Sequence, residues 1–218
     1  MRAFRTLRST FVSLPVESID TDQIIPARFL TTTVRTGLGT HLFADWRYDA
    51  AGRPLPDFVL NRPGSDGAQI LVTGSNFGCG SSREHAVWAL ADHGFRAVIA
   101  SSFSDIFRRN ALENGLLPVT VDAALVRDAH ACARREGSLA IAIDLTDCTV
   151  TMPDGNTTPF TIDEFARLCL LAGLDTLDWL LREQDAIQRF EARHEAEAFR
   201  RPHSGRRGET LDSVASHA

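Results

Sequence analysis

Three short apolar runs separated by helix-length segments set the tightest limit on how this chain can fold. AQILVTG (68–74), RAVIASS (96–102) and LLPVTV (116–121) each read as a buried strand, with SSREHAVWALADHG and SDIFRRNALENG between them. Both intervening segments read as helices and close on a glycine, Gly94 and Gly115, the residue best suited to a left-handed helix end. Strands that alternate with helices pair in parallel through right-handed crossovers, so the centre of the chain predicts an α/β sheet. Ser81 with Glu84 fits a capping box for the first helix, and Thr161 with Glu164 fits another ahead of EFARLCLLAG.

The flanks add further elements. FVSLPV (Phe11 to Val16) reads as a first strand, in preference to a transit peptide suggested by the Arg-bearing, acid-free opening. Asp122 to Glu136 is an amphipathic helix ended by Gly137; LAIAIDL and CTVTM are strands, and PDGN turns the chain towards TTPFTI. Asp175 to Arg200 reads as one long terminal helix. The final stretch, RPHSGRRGETLDSVASHA, lacks apolar periodicity. The expected organisation is therefore one domain over 1–200 and a flexible tail over 201–218. The turn-rich stretch from Gly37 to Gly67 has two open readings: a functional or partner-facing loop, or an excursion that packs its own aromatics.

Composition removes several chemistries. No stretch approaches the ~18 consecutive apolar residues a membrane span needs, and a net charge of -5 argues against a nucleic-acid footprint. All 23 basic residues are arginine, which excludes a Walker-type phosphate lysine and a lysine Schiff base or general base. The four cysteines, Cys79, Cys132, Cys148 and Cys169, are too scattered for a zinc or iron–sulfur ligand pair. They read as reduced thiols of a cytosolic protein.

The stretch GSNFGCGSSREHAVWAL (Gly74 to Leu90) carries the functional signal. A glycine loop between strand and helix offers main-chain N–H groups to an anion. A dinucleotide fits poorly: Arg83 stands in place of a third glycine in the G-x-G-x-x-G frame, and VIASS ends in serines rather than an acid. A carboxylate remains, and Arg83 could grip it with two parallel hydrogen bonds. Ser81 and Ser82 sit where the positive end of the helix favours negative charge. Taken singly each residue has a plain structural role: Ser81 a cap, Arg83 a solvated cation, His85 a packed imidazole with a backbone partner, Cys79 a small filler.

GCGSSREHA (Gly78 to Ala86), DTDQIIPARFL (Asp20 to Leu30) and SFSDIFRRNALENGLLPV (Ser102 to Val119) together resemble the swivelling domain of the aconitase superfamily. VRTGLGTHLFADWRYD and TIDEFARLCLLAGLDTLDWLL are similar to the bacterial small-subunit family of 3-isopropylmalate dehydratase, over about Phe11 to Glu191. The resemblance implies a swivelling β/β/α domain of the α/β class, a mixed sheet or barrel flanked by helices. It implies a separate large subunit that carries a [4Fe–4S] cluster and closes the active site as a heterodimer, with no metal held by this chain. It implies isomerisation of 2-isopropylmalate and 3-isopropylmalate by dehydration and rehydration, in leucine biosynthesis. On the matching motif Ser81 would be the catalytic base, and Ser82 and Arg83 would bind substrate carboxylate. Thr31, Thr32 and Thr33, just after IIPARF, would face the substrate's variable group.

Elimination of water beside a carboxylate needs a base, a carboxylate clamp and a Lewis acid. The sequence offers the first two, so the chain alone is expected to be inactive. Two rival readings stay open: the same chemistry on another hydroxy-diacid such as citramalate or homocitrate, and a non-catalytic anion-binding module that kept the loop.

Overall fold

Strand β1 (Thr6–Leu14) is the pivot of a seven-stranded sheet in the order β4-β3-β2-β1-β5-β6-β7. The computed structural model describes residues 1–136 and 139–200. On one side of β1 lie β2 (Ile70–Thr73), β3 (Ala97–Ala100) and β4 (Leu117–Thr120), all parallel, with Phe11 opposite Ile70, Ile70 opposite Ala97 and Ala97 opposite Leu117. On the other side β5 (Ala140–Asp144), β6 (Thr149–Thr151) and β7 (Thr157–Pro159) form an antiparallel meander, with Thr6 opposite Asp144. The three central runs thus pair as the strand–helix alternation predicts. Pro118 and Pro159 fall on β4 and β7, the strands at the two ends of the order, where a missing N–H leaves no gap in the ladder.

Helices cover both faces. Short α1 (Thr21–Ile24) and α2 (Ala44–Arg47) precede α3 (Glu84–His93), which links β2 to β3, and α4 (Asp105–Glu113), which links β3 to β4. They are followed by α5 (Ala123–Glu136) and α6 (Glu164–Ala172). Successive strand residues point to opposite faces, and both faces here are apolar. Leu71 and Val98 join one core with Val87, Leu90 and Phe107, whereas Ile70, Val72 and Ile99 join a second with Val126, Ala129 and Leu170. Parallel strands buried on both faces must read as continuous apolar runs, which is why these stood out in the sequence.

Several expectations need correction. Helix α3 begins at Glu84 with Arg83 as its N-cap and no side-chain cap bond, so Ser81 and Glu84 form no capping box. The capping box of this corner is Asp20 with Gln23, two reciprocal bonds of 2.7 and 2.9 Å. Helix α6 is capped by Asp163, whose carboxylate accepts from the Ala166 N–H at 2.9 Å, rather than by Thr161 with Glu164. Strand β1 starts at Thr6, five residues before the apolar run, because Thr6 to Thr10 pair with β5.

The stretch from Gly37 to Gly67 is folded onto the core: Leu42 and Phe43 are fully buried and Leu60 nearly so. Asn61 fastens it, donating to the Arg47 and Leu55 carbonyls at 2.7 and 2.9 Å.

The chain divides into two units, Met1–Trp179 and Leu180–Ala218, and the architecture above belongs to the first. The expected single terminal helix is two, α7 (Thr176–Arg182) and α8 (Gln184–Arg200), broken at Glu183. The Glu183 N–H donates to Leu180 in a tight turn. The Gly137 helix stop and the 201–218 tail lie outside the described residues.

Candidate functional site

The carboxyl ends of parallel strands are where open α/β sheets place their ligand sites. Here three connections meet at that end: Pro15–Asp20 after β1, Gly74–Arg83 after β2 and Ser101–Ser104 after β3. They are cross-tied by main chain. Gly74 N–H donates to Val16, Ser18 N–H to Ser75, Gly78 N–H to Ile19 and Phe77 N–H to Ser102, at 2.8–3.1 Å. Gly78 has φ +74°, and a Cβ there would meet the Phe107 ring at 2.2 Å. The glycine is therefore required for both conformation and close packing.

These bonds use the amides of Gly74, Phe77 and Gly78, and the Asn76 N–H donates to Ser102 Oγ at 2.8 Å. The N–H groups of Gly80, Ser81, Ser82 and Arg83 have no protein acceptor among the described residues. Without a side-chain cap on α3, the start of the helix keeps its unsatisfied donors and the positive end of its dipole. Ser81 and Ser82 are exposed. The buried hydroxyl of Thr21 donates to the Ser81 carbonyl at 2.9 Å and fixes that peptide.

Arg83 is mostly covered, its side chain 18% exposed, and its Nη1 donates to the Asp22 carboxylate. The Arg83 guanidinium in turn holds the Asp22 carboxyl below the usual carboxylate range. One edge of the guanidinium is thus committed to Asp22, which orients it while Nε and Nη2 make no protein hydrogen bond among the described residues.

The threonine segment reaches the same corner from a distance in sequence. Thr31 and Thr33 are exposed, Thr32 is half-buried, and the His85 Nε2 lies 2.8 Å from the Thr32 carbonyl oxygen. A carbonyl oxygen can only accept, so His85 is the donor. His85 also packs on Trp88, with ring centroids 4.6 Å apart. Trp88 Nε1 donates to Asn114, whose amide donates to Glu84, at 3.0 and 2.8 Å.

Of the predicted residues, Ser81, Ser82 and Arg83 follow one another on the loop, and the Thr31–Thr33 segment is tied through the Thr32 carbonyl to His85, two residues beyond Arg83. Sequence reasoning missed Thr21, Asp22 and Asn114. The D-x-x-Q pattern of Asp20 and Gln23 could have disclosed the capping box. Nothing local marks the partners of residues some sixty positions away.

Ser81 and Ser82 stand at the protein surface. Concavities of about 510, 690, 690 and 430 Å³ are lined by other residues, none by Ser81, Ser82 or Arg83. Among the described residues no group of three or more His, Cys, Asp or Glu side chains could hold a metal, and the four cysteines are unpaired. No described helix is long and apolar enough to cross a membrane. The geometry offers hydroxyls, open amides and a guanidinium to an anion.

Residues 1–124 match the aconitase C-terminal domain family. The chain is 55% identical to the 3-isopropylmalate dehydratase small subunit of Chloroflexus aurantiacus over 89% of its own length and 96% of the relative's. It is 54% identical to that of Anaeromyxobacter dehalogenans, over 88% and 98%. Among solved structures it resembles the 3-isopropylmalate dehydratase of Methanocaldococcus jannaschii, with a TM-score of 0.60 and 28% identity over 85% of this chain and 99% of that one.

Proposed function

Since the chain belongs to the family of 3-isopropylmalate dehydratase small subunits, built on the aconitase C-terminal domain, we propose that its exposed Ser81–Arg83 corner is one half of that enzyme's active site. The reaction is the interconversion of 2-isopropylmalate and 3-isopropylmalate by loss and return of water, a hydro-lyase step of leucine biosynthesis. The observation that carries the assignment of roles is the corner itself: two exposed hydroxyls, four open amides and an oriented guanidinium within three residues of one another.

Ser81 takes the proton from the carbon beside the carboxylate. A serine hydroxyl is a feeble base in water. Around Ser81 the uncapped helix start and the Arg83 cation stabilise the alkoxide form, and a covering surface that excludes water strengthens both effects. Ser82 and Arg83 hold a substrate carboxylate, Arg83 with the edge left over from Asp22. Thr31, Thr32 and Thr33 face the isopropyl group, where small uncharged side chains leave room for it.

The remaining wall belongs to a large subunit, and so does the [4Fe–4S] cluster, for which the described residues of this chain supply no ligand set. The cluster's chemistry is Lewis-acid assistance to the departing hydroxide. The pair is read as a cytosolic heterodimer.

The test is reconstitution with the large subunit. This chain alone should show no turnover, and the pair should be active. Ser81→Ala should lower kcat by roughly 10²–10⁴-fold, the usual contribution of a general base, while co-elution with the large subunit is unchanged. Turnover by the single chain would break the division of labour, and full activity of the variant would remove Ser81 from the role of base. Substrate comparison on the same complex separates isopropylmalate from citramalate and homocitrate.

A further inference from the structure

The threonine segment has little of its own to hold it in place. Between the short helical turns at Ala27–Phe29 and Leu38–His41 the chain has no regular structure, and Thr31, Thr33 and Val34 are exposed. The bond from the Val34 N–H to Thr32 Oγ1 is internal to the segment. Leu30 packs against the core where the segment begins, and among the described residues one side-chain hydrogen bond and one cation–π contact tie the rest to another element, both on α3. The His85 Nε2–H donates to the Thr32 carbonyl at 2.8 Å, and the Arg35 guanidinium lies over the Trp88 ring, 5.3 Å from its centroid.

His85 and Trp88 are three residues apart and so share a face of the helix. Their own positions are fixed by the Glu84–Asn114–Trp88 bonds, which lock the start of α3 to the end of α4. Arg83, the carboxylate clamp, stands two residues before His85. One rigid turn therefore carries the clamp and anchors the segment that lines the variable group.

We propose that His85 is a positioning residue for substrate selection, its Nε2–H latching the Thr32 carbonyl so that Thr31 to Thr33 stand at a fixed distance from the Ser82–Arg83 clamp. The inference rests on the reading above that this segment faces the isopropyl group. It touches neither the proton transfer nor the carboxylate, so the latch acts on binding of the branched group and leaves the chemical step alone.

The experiment uses the reconstituted complex and compares 2-isopropylmalate with a 2-hydroxy-diacid bearing a methyl in place of the isopropyl group. His85→Leu should raise KM for isopropylmalate roughly tenfold, the order expected from one lost hydrogen bond in a partly covered site. It should leave kcat within about twofold and reduce the preference over the smaller diacid by a similar factor. His85→Gln, whose amide nitrogen reaches about as far as Nε2, should restore the preference; His85→Asn, too short to reach Thr32, should behave like the leucine variant. If the leucine variant fails to assemble, the glutamine and asparagine variants decide the matter. A fall in kcat with KM unchanged, equal shifts for both diacids, or equal behaviour of Gln and Asn would overturn the latch. The double substitution Thr31→Leu and Thr33→Leu separates the two ideas. Discrimination that moves with the threonines and not with His85 removes the latch and keeps the site assignment; discrimination that moves with neither removes both.

Discussion

The hydroxyl of Thr21, 3% exposed, donates to the main-chain carbonyl of Ser81 across 2.9 Å. One buried side chain from the first residue of α1 thus fixes the peptide of the exposed serine in the connection after β2. The residue that presents a hydroxyl to solvent is held from below by one that never meets it.

Thr21→Val keeps the shape and removes the donor. Its cost to the isolated chain should be about 1 kcal/mol by denaturant titration, the usual net value of such a bond. In the reconstituted complex kcat should fall roughly tenfold, because a loosened Ser81 costs rate beyond its cost in stability. Thr21→Ser should recover both. Unchanged kcat in the valine variant would show that the peptide is held adequately by its other contacts.

Gly78 and Gly80 both have positive φ, +74° and +86°, but they should respond differently to alanine. A Cβ at Gly78 meets Phe107 atoms at 2.2–2.5 Å, whereas at Gly80 the nearest atom is the Asp20 Cβ at 3.4 Å. Gly80→Ala should cost about 1 kcal/mol, the backbone strain alone. Gly78→Ala adds a clash with a ring that is itself buried, and should cost at least ~3 kcal/mol or prevent folding. Thermal midpoints of the two variants compare them directly, and equal midpoints would contradict the packing described.

His130 is 6% exposed, its Nδ1 2.8 Å from Ser13 Oγ and its Nε2 without a partner. Burial, with Arg134 nearby, pushes its pKa down to about 4 from 6.5. The unfolded chain therefore takes up a proton near pH 6.5 that the folded chain refuses. The stability of the neutral imidazole is fully present above pH 6.5 and is eroded as pH falls towards 4, by on the order of 3 kcal/mol. The midpoint of thermal unfolding should drop across that window. His130→Asn, whose amide can replace Nδ1 as the hydrogen-bond partner of Ser13, should flatten the drop. An equal slope in both proteins would assign the acid sensitivity to other groups.

The chain's own letters determined the parallel half of the sheet. Runs such as ILVT and AVIA are apolar on every residue because both faces of those strands are buried, and that property needs no knowledge of neighbours. They also singled out the loop proposed to carry the chemistry, since glycines, serines and an arginine at a strand–helix junction are a local pattern. The helix starts were less legible. Ser81 and Glu84 have the spacing of a capping box, yet Thr21 takes the Ser81 carbonyl and α3 starts with Arg83 as its cap.

Only the tertiary structure decided what stands beside each site residue. Asp22 against Arg83, Thr21 under Ser81 and His85 on Thr32 are pairings across 53 to 61 residues. Such contacts arise because the segments that follow β1 and β2 come side by side when those strands pair in parallel. A hydrogen bond depends on distance and angle in space, and a linear sequence records local propensity and apolar period but carries neither of those for residues far apart along the chain.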